Sequence, residues 1–164
     1  MRSIFVIIFL IPILTFGQVD KTLSIVETGK KLTGTWLMKT YEKDSLTIEQ
    51  RIDGKKYLSK TTINGKLVKT EFVDGLDVLE LSFDKYGKGE YQEYEHYQLF
   101  NKREGDISIS TCQPVPELKF KNGKIIIHMT YMLGEGEEEI IQLTENKFTL
   151  LSNTKLRRTY ERLK

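Results

Sequence analysis

The chain predicts an all-β fold, an antiparallel up-and-down barrel of about eight strands. Three observations carry this. Turn dipeptides recur at Asp53-Gly54, Asn64-Gly65, Asp74-Gly75 and Asn122-Gly123, and such pairs supply the positive φ angles of two-residue hairpins. Between them lie runs of strand length with period-two hydrophobicity: Leu79, Leu81 and Phe83 alternate with Glu80 and Ser82, Ile107 and Ile109 with Ser108 and Ser110, and Phe148 and Leu150 with Lys147 and Thr149. No long crossover connection interrupts the series. A meander of about eight twisted strands removes its exposed edges by closing on itself. A two-sheet sandwich is the alternative packing.

The first stretch, Met1 to Gly17, stands apart. Met1-Arg2 is followed by the apolar run Ile4–Leu14 and then Thr15-Phe16-Gly17. A basic start, a short apolar core and small residues read as a signal peptide, residues 1–17. The run is shorter than the roughly 20 apolar residues of a bilayer-spanning helix, so a retained anchor is the lesser reading. No Cys follows to accept a lipid. The expectation is an exported protein, periplasmic or extracellular, with no stable membrane span after processing.

Cleavage near Gly17 leaves 147 residues, one domain with a proper core. Without Arg2, the remaining Lys and Arg outnumber Asp and Glu by one. That near-neutral balance argues against nucleic acid as a partner. Cys112 is the only cysteine, so no internal disulfide forms, and its plainest role is that of a small buried hydrophobe.

Residues 18–31 hold the one helical signal. Asp20 is a candidate N-cap, Leu23 and Val26 sit three apart, and Gly29 is a candidate stop. The segment is expected to cap one end of the barrel, which occupies 32–164. The barrel opens with Leu32-Thr33-Gly34-Thr35-Trp36-Leu37-Met38-Lys39-Thr40, which holds the only tryptophan. Gly34, two residues before Trp36, lets another chain or ring pass close to the strand. A buried indole N–H requires an acceptor.

Leu32-Thr33-Gly34-Thr35-Trp36 resembles the Gly-x-Trp signature that opens lipocalins. The ending, Ile141-x-Leu143-Thr144-Glu145-Asn146-Lys147-Phe148-Thr149-Leu150 and then Tyr160-Glu161-Arg162-Leu163, resembles that of lipocalin-like domains in small secreted bacterial proteins. The resemblance implies a calycin-type barrel in which a last-strand arginine lies across the first-strand tryptophan and seals the barrel floor. In an antiparallel closure the start of the first strand meets the end of the last, which selects Arg162 over Arg157 and Arg158. Gly34, Trp36 and Arg162 are therefore expected to form the structural closure. The chain lacks the disulfide and second signature loop common in animal lipocalins, so the resemblance bears on the barrel more than on ligand carriage.

Candidate chemistry is sparse. The two histidines, His96 and His128, with one thiol do not make a zinc site, and no metal or other cofactor is expected. His128 reads as an ordinary surface or hydrogen-bonded side chain. Glu93 and Glu95 share a strand face roughly 6–7 Å apart, within the range of paired glycosidase carboxylates. The plainer reading is a solvated outer face, and no catalytic residue is assigned. Gly134-Glu135-Gly136-Glu137-Glu138-Glu139 lacks calcium-loop spacing and reads as a solvated hairpin. There is no phosphate loop and no nucleophile elbow. What remains is a set of soft and amphipathic residues of the kind that line apolar pockets: Met38, Phe83, Tyr97, Met129 and Tyr131. The leading expectation is a non-catalytic binder of a small hydrophobic or amphipathic molecule. The alternatives are a filled barrel that docks another protein through the Glu90–Gln98 strand, and a carboxylate enzyme.

Overall fold

A computed structural model describes residues 24–100, 106–107, 114–131 and 134–163. The proposed leader, Asp20, Cys112 and Ile109 lie outside the described residues. Within them the fold is all-β and antiparallel, with one short helix, α1 (Ile25–Leu32). Eleven strands are six to ten residues long: β1 (Gly34–Lys43), β2 (Leu46–Asp53), β3 (Lys56–Ile63), β4 (Lys66–Val73), β5 (Leu76–Phe83), β6 (Gly89–Tyr97), β8 (Val115–Lys121), β9 (Lys124–Tyr131), β10 (Gly134–Leu143), β11 (Lys147–Ser152) and β12 (Arg157–Arg162). The twelfth, β7 (Asp106–Ile107), has two residues. Among the described residues no helix is long and apolar enough to cross a membrane.

The helix starts later and ends later than the sequence predicts. Ser24 caps it: its hydroxyl accepts from the Glu27 N–H at 3.1 Å and Glu27 returns a bond to the Ser24 N–H, a complete capping box. Gly29 does not stop the helix but sits inside it, where Phe83 of β5 packs so closely that a Cβ would lie 3.1 Å from the Phe83 Cβ. The glycine serves close approach of helix to sheet, and Thr33 ends the helix by bonding back to the Gly29 carbonyl.

Two hairpins follow the predicted turn chemistry. Asn64-Gly65 and Asn122-Gly123 both carry positive φ at both central residues, the type I′ pattern that matches strand twist. Gly134-Glu135-Gly136 does not turn the chain; it lies within β10, paired with Tyr131, Thr130 and Met129 of β9. Gly134 has open space where a Cβ would stand, whereas at Gly136 a Cβ would lie 3.2 Å from the Tyr131 ring, so this glycine serves a close approach.

The connectivity is not a simple meander. From one edge the order is β4-β3-β2-β1-β12-β11-β10-β9-β8, and β5 with β6 branches from β1. β1 divides one side between two neighbours, Gly34–Leu37 to β5 and Thr40–Lys43 to β2. On its other side it pairs with β12, with a bulge between Met38 and Thr40, beside the point where the partners change. Among the described residues the sheet is not closed by a ladder. Its two arms approach where Lys88 and Glu117 form an isolated bridge and the Leu118 N–H donates to the Gly87 carbonyl at 2.7 Å.

Two clusters fill the structure. The larger gathers Trp36, Leu79, Leu118, Ile127, Phe148 and their neighbours inside the curled sheet. The smaller gathers Leu37, Tyr57, Leu76, Val78 and Tyr94. Leu37 pairs with Val78 and Val78 with Tyr94, so β1, β5 and β6 are buried on both faces. Over Leu79–Phe83 the expected alternation holds, with Leu79 and Leu81 buried and Ser82 exposed, but at Leu76–Val78 the other face is covered too, and the Glu90–Gln98 strand, which holds the buried Tyr91 and Tyr94, is no free outer surface.

Candidate functional site

The two ends of β12 make two different places. At its C-terminal end, Arg162 stands opposite Trp36 in the β1–β12 ladder. The guanidinium lies 4.1 Å from the centre of the indole, a cation–π distance. Its Nε donates to the Glu145 carbonyl at 2.8 Å, Nη1 to the Thr33 carbonyl at 2.9 Å and Nη2 to the Lys31 carbonyl at 2.5 Å. The Trp36 indole donates to the Leu32 carbonyl at 2.6 Å. Gly34, at φ +141°, has no room for a Cβ because the Arg162 guanidinium occupies that space. This end is fully committed to structure.

Four residues earlier, Arg158 lies at a cleft of about 480 Å³ between the β2–β3 arm and the strands β1, β5, β6 and β12. Met38, Ile48, Val73 and Leu79 give it apolar wall, and Gln50, Asp77, Glu93, Glu95, His96 and Arg158 give it polar groups. Arg158 and Tyr160 are inward because side chains alternate along a strand and Arg162 is inward too. Arg158 donates from Nη1 to Glu93 at 2.8 Å and from Nη2 to both oxygens of Glu138 at 2.6 and 2.7 Å. Its Nε is buried with no partner among the described residues. The Tyr91 hydroxyl donates to Glu93. Gln50 donates to the Asp77 carboxylate at 2.8 Å and accepts from the Asp77 N–H at 3.1 Å, tying the β2 arm to β5.

Burial sets the titration of this group. Desolvation raises the Asp77 carboxyl above its ordinary value; the Gln50 bond offsets part of that and Glu95 adds to it. Desolvation likewise raises the Tyr91 and Tyr160 phenols. For Arg158 burial works against the charge, but Tyr160, Tyr91, Glu138 and Glu93 outweigh it and hold the guanidinium above its already high ordinary value. An arginine with two carboxylates leaves excess negative charge in a half-enclosed space. The site can orient a small molecule through these groups while the apolar wall takes the rest of it.

Of the five residues expected to line a pocket, the structure brings Met38 into the cleft. Phe83 packs instead against α1 and the main core. Tyr97 lies edge-on to Tyr94, 5.9 Å away, in the smaller cluster. Met129 is buried in the main core, where its sulfur accepts from the Tyr131 hydroxyl at 3.4 Å, and Tyr131 is itself exposed at the end of β9. Glu95 is exposed and Glu93 keeps a 39% exposed side chain while pairing to Arg158, and both line the cleft. Glu138 is not solvated; it is buried opposite Ile127. His128 is buried rather than superficial. Its ring nitrogens stand 3.8 Å from Glu135 and 3.6 Å from Glu137, too far for hydrogen bonds. Among the described residues no group of three or more His, Cys, Asp or Glu is placed to hold a metal ion.

Sequence reasoning passed over Arg158, Glu138, Asp77 and Gln50. The first two carried a signal. Once Arg162 is inward, so are Tyr160 and Arg158, and Glu138 shares alternate positions of its strand with Gly136 and Ile140. Gln50 and Asp77 carried none, because their contact depends on the β2–β4 arm folding beside β5. Comparison with known proteins returned no matching family model, no similar curated protein and no similar solved structure.

Proposed function

We propose that the protein is an exported, periplasmic or extracellular, lipocalin-like protein that binds a small hydrophobic or amphipathic molecule in the cleft without transforming it. On this reading β1, β5, β6 and β8 to β12 are the eight strands of the barrel, with the seam at Lys88–Glu117 left to an isolated bridge. The observation that carries the reading is the cleft itself. Its volume of about 480 Å³ falls within the roughly 300–1,000 Å³ of small-molecule sites. Apolar walls with a few convergent polar groups are the composition that holds an amphipathic molecule in one orientation. The Trp36–Arg162 pair, which resembles the lipocalin closure, supports the family reading and takes no part in binding.

Two measurements test it. Native mass spectrometry of protein purified from its own host is expected to show a non-covalent adduct. An apolar anilinonaphthalene dye is expected to bind with saturation, and Ile48→Trp, which fills the cleft from its half-buried wall, is expected to abolish that binding with the circular dichroism unchanged. A chain that carries no adduct and binds the dye equally well with the cleft filled overturns the proposal.

A further inference from the structure

One edge of the sheet is β4, which pairs with β3 and, among the described residues, with no other strand. It is long, and its apolar residues are open: Leu67 is 62% exposed, Val68 61% and Phe72 59%. Free edges of this kind template pairing with another chain unless they are blunted. The blunting here is partial. A bulge falls between the Thr61 and Thr62 partners and leaves Val68 without one. The lysine and acidic residues of the strand are arranged, however, in a way that invites one partner in particular.

Read outward from Thr70, the strand is chemically symmetric with opposite signs. Lys69 precedes it and Glu71 follows; Val68 is matched by Phe72 and Leu67 by Val73. We propose that β4 pairs with β4 of a second copy of this chain, antiparallel, about a two-fold axis through Thr70 and perpendicular to the sheet. A two-fold contact is made by one surface with itself, so the surface must be self-complementary. In this register Lys69 of each chain faces Glu71 of the other, and Phe72 faces Val68. Directly opposite residues of an antiparallel pair lie about 4.5–5.5 Å apart at Cβ, where opposite charges and apolar pairs favour the contact and like charges oppose it. Lys69 and Glu71 now form an exposed ion pair within one strand, 2.7 Å long. Such a pair contributes little, so exchanging it for two pairs across the axis meets little resistance. The bulge bends one end of the edge and keeps the ladder short, so the dimer is a reversible one.

Sedimentation of the full chain and of charge variants tests this. The wild type is expected to sediment as a reversible monomer–dimer mixture. Lys69→Glu alone and Glu71→Lys alone put like charges across the axis, and each is expected to lose the dimer. An equimolar mixture of the two restores opposite charges at both positions and is expected to recover it as a heterodimer, as is the Lys69→Glu, Glu71→Lys double variant on its own. Circular dichroism establishes that each variant is folded. In a Cys112→Ser background, Thr70→Cys is expected to cross-link to its own copy under mild oxidation, a readout that needs no charge change. A wild type that stays monomeric at every concentration leaves the edge to a foreign strand and overturns the proposal, as does a dimer indifferent to the single variants, a mixture that stays monomeric, or Thr70→Cys that does not cross-link.

Discussion

Arg162 and Arg158 lie four residues apart on one face of β12, yet they do opposite work. Arg162 donates to three main-chain carbonyls and lays its plane on the Trp36 ring. Its partners are neutral and do not titrate. Arg158 donates to the carboxylates of Glu93 and Glu138, and the cleft begins beside it. A guanidinium among carbonyls pins chain ends in one geometry. A guanidinium among carboxylates is part of a charge network whose balance depends on every member and on whatever enters the space next to it. The two ends are joined by rings: Trp36 meets Phe148 edge-on at 4.7 Å, and Phe148 stacks on Tyr160 at 4.8 Å. The Trp36 end, closed only in the sense that its indole is wholly buried from solvent, therefore supports the floor of the end that opens on the cleft.

The largest expected effect breaks the closed end. Trp36 is wholly buried, so Trp36→Ala is expected to cost about 3–5 kcal/mol in urea unfolding, the range for a buried aromatic truncated to Ala. A cost under about 1 kcal/mol would show that the closure is ornament and that stability resides elsewhere. Next in size is Arg158→Met, which keeps the side-chain volume and removes the charge. It leaves Glu93 and Glu138 facing each other without a counter-ion, and about 3 kcal/mol is expected to be lost, the lower end for breaking a buried pair from one side. Adding Glu93→Gln and Glu138→Gln to the same chain is expected to recover most of that loss. If the triple variant is no more stable than Arg158→Met, the arginine acts through packing and not through charge.

The contrast also marks how far residues alone could be read. Turn dipeptides and period-two runs announced the all-β class, because hairpin φ angles and pleat alternation are local properties. The pairing of Trp36 with Arg162 was legible because it joins the two ends of the chain and follows from antiparallel order. Antiparallel order singles out Arg162, yet the alternation that turns Arg162 inward turns Arg158 inward as well. Gly29 was read as a helix stop on local preference, and the close packing of Phe83 on α1 overrode that preference. The branching of β2 to β4 away from β5 and β6 was not legible at all. β1 changes neighbours halfway along its length, and nothing in an alternating strand reveals which strand takes which half. That arm supplies Ile48, Gln50 and Ser59 to the cleft, so the site could not be assembled without it.

A sharper cut at the closed end is Arg162→Ala, expected to cost about 2 kcal/mol through lost charge-assisted bonds to carbonyls. Combined with Trp36→Ala it is expected to show coupling of about 1 kcal/mol in a double-mutant cycle, because the two side chains touch. Additive costs would mean that the indole and the guanidinium stabilise the closed end separately, and the cation–π contact would lose its claim.

The smallest expected effect belongs to the open end and concerns pH. Burial raises the Asp77 carboxyl in the folded chain, with the Gln50 bond opposing and Glu95 adding. The folded chain therefore binds this proton more tightly than the unfolded one. The stability that protonation brings is fully present below the unfolded carboxylate range and is lost as pH rises through the raised folded value. Burial makes the charged form of Asp77 a burden on the folded chain. Asp77→Asn removes the charge while keeping an oxygen to accept from Gln50 and the main-chain N–H that donates to it. The variant is expected to melt about 1–3 °C above the wild type near pH 7. The difference is expected to shrink as pH falls through the carboxylate range, where the wild type takes up the proton and sheds its own penalty. Thermal melts of both chains at a series of pH values measure it. A variant that is less stable at pH 7, with a deficit that fades in acid, would reverse the sign: Asp77 would then be held ionised by a cationic neighbour, and the open end would carry a balanced set of charges in place of an excess of negative ones.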